Sequence, residues 1–409
     1  MEKNFKKRSN LHLLYWIGFS LCIIAIWYLL SILNPDVTKY GDFVQYWAAG
    51  KLTILGKNPY SVESIINLRE QVGTFTDFPK DAMSMLLYPP WTLPLVIPFG
   101  IPGYASSRFI WFVFQLIIVF ICARLTWFLY QGPKRSHWVA YLIAFTFIPT
   151  LYLLLMGHIT SFHLLGVLGF LYFIRKPDHG KLDGMAAGAC AALVTIKPQL
   201  LLLFLLTLLL WIIRNRQWMV LLGGGLVILI FSIIPLLINP RVFVQFWEAM
   251  TSYSVGTWAS PALGTVLRRS IGYDFELLQI LPTILGIIWL IYYWLKNFQQ
   301  WDWLSVMPIM ILASYLTSPY MWPYDMVVIL LPILVLAIEL LKRAWEWPSW
   351  VILSTYLIIT VVSVFHFFFI HNYYYLFWLV PAYSVLYFLG NWLLHNYPSK
   401  SRMLISDEI

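Results

Sequence analysis

Apolar runs of about 15–25 residues recur along almost the whole of this chain, with its charge confined to the short segments between them. A run of that length is what an α-helix needs to cross a bilayer, since about 20 residues rising 1.5 Å each cover the hydrocarbon core. Only 11% of the 409 residues are charged, against roughly 25% in a soluble domain. A large water-soluble core is therefore excluded, and the expectation is an all-α polytopic membrane protein. The pattern places spans near 11–33, 105–130, 138–156, 159–174, 184–196, 198–213, 218–238, 278–295, 303–317, 325–342, 350–370 and 374–395. That is about twelve, in one integral membrane domain covering 1–409. The pair 184–196 and 198–213 also fits a broken or re-entrant hairpin. The run 11–33 is too long for the apolar core of a signal peptide and reads as a retained anchor.

Leu86 to Phe99 is the segment on which the orientation turns. If it does not cross, Lys134, Arg135, Arg175, Lys176, Arg214, Arg216, Lys342 and Arg343 all fall on the side shared by both termini. Basic loops mark the cytoplasmic side, so both termini are expected in the cytoplasm of a cell (plasma) membrane protein. Segment 86–99, bounded by Pro89-Pro90 and Pro98, is then a surface or re-entrant helix. External loops are expected over 34–104 and 239–277. The net charge of +9 is spread among short loops, which fits membrane orientation and no nucleic-acid partner. Cys22, Cys122 and Cys190 all sit in apolar runs, so neither a disulfide framework nor a zinc site is expected.

With that orientation the scattered polar motifs share one face, the outer one, as a site at the membrane surface requires. Asp42, in Gly41-Asp42-Phe43-Val44-Gln45-Tyr46-Trp47, reads as a general base, or as the N-cap of the helix that follows it. The rings of Phe43, Tyr46 and Trp47 are placed to tune its pKa or to stack on a sugar. Asp36, Glu63, Asp77 and Asp81 read as solvated loop charges, or as a second carboxylate beside Asp42. Tyr88-Pro89-Pro90-Trp91 is either a groove wall or ordinary helix punctuation. His158, in Gly157-His158-Ile159-Thr160-Ser161, is either a donor to substrate oxygens or an interfacial residue satisfied by backbone, and His163 reads as a packing residue. Lys197, in Lys197-Pro198-Gln199, is costly among apolar runs unless it marks a site or snorkels to the interface. Arg268 and Arg269 suit phosphate oxygens, and Arg108 is a weaker candidate of the same kind. Asp325, after Ser318-Pro319-Tyr320 and Tyr324, reads as orienting a hydroxyl, pairing with Lys197 or capping its helix. Gly223-Gly224-Gly225, deep in an apolar run, reads as close helix packing.

Gly41-Asp42-Phe43 with Tyr46, Ala48-Ala49-Gly50, Gly56 and Asn58-Pro59-Tyr60 resembles the first-loop signature of glycosyltransferase family 87. The likeness continues through Tyr88-Pro89-Pro90, Gly157-His158, Lys197-Pro198-Gln199 and Ser318-Pro319-Tyr320 with Tyr324-Asp325. It implies a GT-C-like bundle with a long first external loop carrying surface helices. It also implies an inverting hexosyltransferase, a mannosyltransferase in several relatives, with a polyprenyl-phosphate sugar as donor and a lipid or glycan hydroxyl as acceptor. Asp42 is the implied base; Tyr46, Tyr60, Tyr88, His158, Lys197, Arg268, Arg269, Tyr324 and Asp325 are the candidate substrate-binding residues. No cofactor is implied, and a divalent metal is not excluded. Some family members carry a histidine where this chain has Tyr324-Asp325. The alternative from another class is a lipid-linked sugar flippase, which needs ionisable groups near mid-membrane.

Overall fold

The computed structural model describes residues 41–73, 85–175, 180–252, 258–272, 274–343, 345–370 and 372–397. The expected anchor 11–33, Asp36, Asp77 and Asp81 lie outside the described residues. Every regular element among those described is helical. We number the helices of nine residues or more in chain order. The segment after Gly41 forms α1 (Phe43–Ile54) and α2 (Val62–Gln71). Membrane-length or shorter apolar helices follow: α3 (Tyr104–Leu129), α4 (Trp138–Thr146), α5 (Ile148–Met156), α6 (Ser161–Ile174), α7 (Lys181–Ala192), α8 (Leu202–Asn215) and α9 (Trp218–Ile238). The second loop region holds α10 (Val242–Ser252) and α11 (Leu263–Ile271), and the remainder α12 (Leu277–Asn297), α13 (Trp303–Thr317), α14 (Leu330–Leu341), α15 (Trp347–Phe369) and α16 (Leu379–Asn396).

Among the described residues six helices are long and apolar enough to cross a membrane, or seven if α4 and α5, bent by 63° at Phe147, form one span. Eleven of the twelve expected spans fall on the described residues, so fewer are seen there than expected, and the reason is local chemistry. Pro149 opens α5, and a proline cannot continue the ladder of the preceding helix. Lys197, preceding Pro198, takes φ −136 and ψ 74, because the ring of a following proline clashes with the α conformation. The chain therefore breaks at Lys197: the piece before it falls short of a span, while Pro198–Asn215 after it is one of the six. Helices α6 and α13 have 14 and 15 residues, about 21–23 Å of rise, short of a core about 30 Å thick. The boundaries of 218–238 and 303–317 agree with the structure residue for residue. Leu86 to Phe99 is no spanning helix. It is broken into the turns Pro90–Thr92, Leu93–Val96 and Ile97–Gly100, packed on α1.

The helices share one basic end and one polar end. At the first, the Lys342 ammonium donates to the Tyr130 carbonyl at 3.1 Å. The Arg214 guanidinium lies 3.9 Å over the Phe298 ring, and Arg175 lies 4.4 Å over Phe128. The opposite ends of these elements carry Arg108, Ser161, Lys197 and Asp325, where the expected functional motifs meet. Between the two ends α7 and α9 approach closely through Gly188 and Gly223, where any Cβ would strike the facing backbone. On the perimeter only 11% of the apolar window of α9 is buried, as expected of a helix facing lipid.

Candidate functional site

The site is built on the end of α5. Gly157 terminates that helix in the left-handed conformation at φ +65, the usual role of glycine just past a helix end. A Cβ there would also meet Phe43 Cβ at 2.8 Å and Arg108 Nη1 at 2.9 Å. The last carbonyls of a helix need partners from outside it, and here each finds one. His158 N–H donates to Leu153 O at 3.1 Å. Arg108 donates to Leu154 O at 3.0 Å and to Leu155 O at 2.5 Å. Asp42 N–H takes Met156 O at 2.9 Å, and the Trp111 indole takes Gly157 O at 2.7 Å. The backbone of Asp42 is thus fastened to the turn that carries His158. Arg108, expected as a phosphate binder, is instead buried and spends its guanidinium on this helix end, where its charge also suits the helix dipole.

Asp42 occupies the N-cap position of α1, yet its side chain makes no capping hydrogen bond. The capping reading of this residue is therefore set aside. Its carboxylate turns toward His158, Oδ2 lying 4.0 Å from Nε2, and its side chain keeps 12% of its exposure. Burial raises its pKa above the ordinary 3.8, opposed by a hydrogen bond from Tyr324 and by the charge of Lys197. A carboxylate lifted in this way is a stronger base than one in water.

His158 is the hub of a buried polar network. Tyr46 OH meets Tyr88 OH at 2.9 Å, and Tyr88 OH meets His158 Nε2 at 2.8 Å. On the other side of the ring, Nδ1 lies 2.5 Å from Thr160 Oγ1, which donates to Asp325 Oδ1 at 2.7 Å. Lys197 Nζ closes the set at 2.9 and 3.0 Å from the two Asp325 oxygens and 3.4 Å from His158 Nε2. The Tyr324 ring stacks on the imidazole with centroids 3.9 Å apart. Burial, then the charge of Lys197, drives the His158 pKa well below its usual value, so the ring is neutral. Among the readings open for Asp325, the structure selects pairing with Lys197. Its carboxylate also accepts Trp322 N–H at 2.8 Å.

Six of the sequence-derived residues, Asp42, Tyr88, His158, Lys197, Tyr324 and Asp325, converge on this cluster. Tyr46 joins it from below, buried, with its hydroxyl engaged by Tyr88. Tyr60 donates to the Tyr88 carbonyl at 3.0 Å and so holds the wall in place. Glu63 is exposed in the first turn of α2, a solvated charge suited to a helix start. Arg268 is buried on α11 and Arg269 lies 4.8 Å over the Tyr374 ring; neither is brought into contact with the cluster. Three contributors were not singled out in the sequence. Thr160 is wired into the network, Trp111 caps Gly157, and Arg69 of α2 is buried and couples electrostatically to Asp42. Threonines and arginines near helix ends are too common for sequence to mark these. Among the described residues no three His, Cys, Asp or Glu side chains come together as a metal-holding group.

A raised carboxylate with residual exposure, a neutral imidazole beside it and a buried lysine–aspartate pair behind it can accept a proton from a hydroxyl and offer positive charge to an anion. Comparison with curated proteins and with solved structures returns no match to either. A family model for glycosyltransferase family 87 matches residues 86–319. That interval holds Tyr88, His158, Lys197, Arg268 and Arg269, while Asp42 and Tyr324-Asp325 flank it. The match covers more than half of the chain, and the protein belongs to glycosyltransferase family 87, a family of membrane glycosyltransferases of GT-C type.

Proposed function

We propose that the protein transfers a hexose, mannose in the first instance, from a polyprenyl-phosphate sugar to a hydroxyl of a lipid or glycan on the outer face of the plasma membrane. The observation that carries this reading is the Asp42 carboxylate. It leaves its own helix uncapped and sits 4.0 Å from His158 among groups brought from four distant segments. In the step proposed, Asp42 takes the proton of the acceptor hydroxyl as that oxygen attacks the anomeric carbon with inversion. The bond from the anomeric carbon to the phosphate oxygen breaks, and its electron pair leaves on the phosphate. Positive charge near Asp42 comes from Lys197, shared with Asp325, and from Arg69. Arg268 and Arg269 meet the lipid headgroup further out. Charge placed in advance where an anion develops stabilises the transition state without reorganisation.

Trp91, Leu95, Leu193, Ile196, Val227 and Phe231 line a small apolar crevice of about 10 Å³ beside the Lys197 turn. The basic end gathers Lys134, Arg135, Arg175, Arg214 and Lys342, which supports a cytoplasmic position for that end. In this arrangement 11–33 is a further crossing and both termini lie inside. The test is transfer by purified full-length protein offered polyprenyl-phosphate mannose, glucose and galactose, with labelled-sugar incorporation as the readout. Transfer from one of them, with inverted anomeric configuration, is the expected result. Turnover of a nucleotide sugar, or of none of these lipids, would overturn the donor assignment.

A further inference from the structure

His163 lies outside the cluster around Asp42, yet it holds the backbone of a lysine that belongs to it. Lys197 sits at the junction of the turns Leu193–Ile196 and Pro198–Leu201, bent to φ −136 and ψ 74. In an unbroken α-helix its N–H would go to the carbonyl of Leu193. Here it donates instead to His163 Nε2, at 3.1 Å, from the first turn of α6. His163 has no exposure and Lys197 only 7%, so the acceptor has to come from the protein, and an unpaired N–H in such a place is costly. The ring reaches the junction because α6 is notched along this side. Gly166 and Gly169 follow His163 at intervals of three, and Cβ atoms there would meet Cys190 O at 2.7 Å and Cys190 Sγ at 2.6 Å. The turn before Lys197 is tied down separately: Thr195 Oγ1 accepts the Trp91 indole N–H at 3.1 Å and donates to Ala192 O at 2.6 Å.

The consequence is felt at the far end of the lysine side chain. Lys197 Nζ lies 2.9 and 3.0 Å from the Asp325 oxygens and 3.4 Å from His158 Nε2, contacts that a turn of its backbone would break. We propose that His163 is a positioning residue for sugar transfer: its imidazole nitrogen stands in for a helix carbonyl and fixes the bend that aims the Lys197 ammonium into the site. The inference rests on the reading of Lys197 as a source of positive charge for the reaction. His163 itself touches no substrate. Its hydrogen bond goes to the backbone of residue 197, so its effect on stability is independent of the side chain there. Its effect on rate exists only while that side chain is lysine. That contrast separates positioning from support of the fold.

The test measures kcat per folded protein, with polyprenyl-phosphate mannose as donor, and melting temperature on the same preparations of purified full-length protein. His163→Leu should lower the melting temperature and cut kcat roughly ten- to a hundredfold. His163→Gln, whose amide oxygen can accept the N–H, should restore most of both. In the background of Lys197→Met with Asp325→Leu, His163→Leu should still lower the melting temperature but change kcat by less than about twofold. An equal loss of kcat in both backgrounds would overturn the proposal, because it would make His163 a support of the fold alone. So would a wild-type kcat in His163→Leu, or a loss that glutamine does not rescue. A background enzyme that turns over at the wild-type rate would do the same, since Lys197 would then have nothing to be positioned for. ¹⁵N NMR of the histidine rings, with His163→Gln identifying the signal, needs neither turnover nor the leucine variant. An unprotonated Nε2 is expected in the wild type, and Nε2–H would overturn the proposal. Absence of turnover with every lipid donor would count against the donor assignment instead, because the ring spectrum and the melting temperatures decide the hydrogen bond without it.

Discussion

Asp42 and Asp325 lie on either side of one histidine, and they are treated in opposite ways. Asp325 has no exposure, and its two oxygens receive the Lys197 ammonium, the Thr160 hydroxyl and the Trp322 amide. Its backbone carbonyl is held as well, by Tyr315 OH at 2.6 Å. Asp42 has a fastened backbone and a side chain that keeps some exposure and makes no cap. A buried charge needs partners to exist at all, and one that is fully partnered has no lone pair left for a substrate. The comparison teaches that the residue doing chemistry here is the less satisfied of the two. The more satisfied one is part of the frame.

The largest effect on that comparison should come from stripping Asp325 of its partner. Lys197→Met leaves a buried carboxylate uncompensated, at a cost of about 3–5 kcal/mol, read as a large fall in the melting temperature in detergent. The double variant Lys197→Met with Asp325→Leu removes both charges and should recover much of that loss. A single variant that melts like wild type would mean that the pair is not a framing element. A more moderate effect is expected from pH. The pKa of Asp42 is raised in the folded protein by burial, so its ionisation opposes folding. Its stabilising contribution is fully present below the unfolded pKa near 3.8 and is lost as pH rises through the higher folded value. Asp42→Asn should therefore flatten the decline in melting temperature across that window, and an unchanged profile would deny the raised pKa. The smallest effect is at the periphery of the network. Tyr60→Phe removes one hydrogen bond to the Tyr88 carbonyl and should cost about 1 kcal/mol with little change in KM for the donor; a large rise in KM would make Tyr60 a substrate contact.

The sequence was most informative where a physical constraint was severe. The limits of α9 and α13 follow from uninterrupted apolar runs between polar ends, and both were placed correctly. Lys197 stood out because an ammonium among leucines has few places to go, and the proline after it marks the break that aims it inward. Asp42 stood out as an acid at the start of an aromatic helix, although spacing alone left capping and catalysis both open; the hydrogen bonds of the α5 end separate them. The bend between α4 and α5 was missed because 138–156 reads as one continuous apolar run despite Pro149. Thr160 was part of a recognised turn, but its role depends on where Asp325 arrives from 165 residues away, and nothing local encodes that. Arg108 was misread because an arginine near a span end suits a phosphate as well as it suits the carbonyls of a neighbouring helix.

The most direct test of the account sets Asp42→Asn beside Asp325→Asn, with transfer rate and melting temperature measured on the same preparations. Asp42→Asn should lose roughly 10²–10⁴-fold in kcat while melting at or above the wild-type temperature, and Asp325→Asn should melt well below it. An Asp42→Asn enzyme that transfers sugar at the wild-type rate would contradict the assignment of that carboxylate as the base.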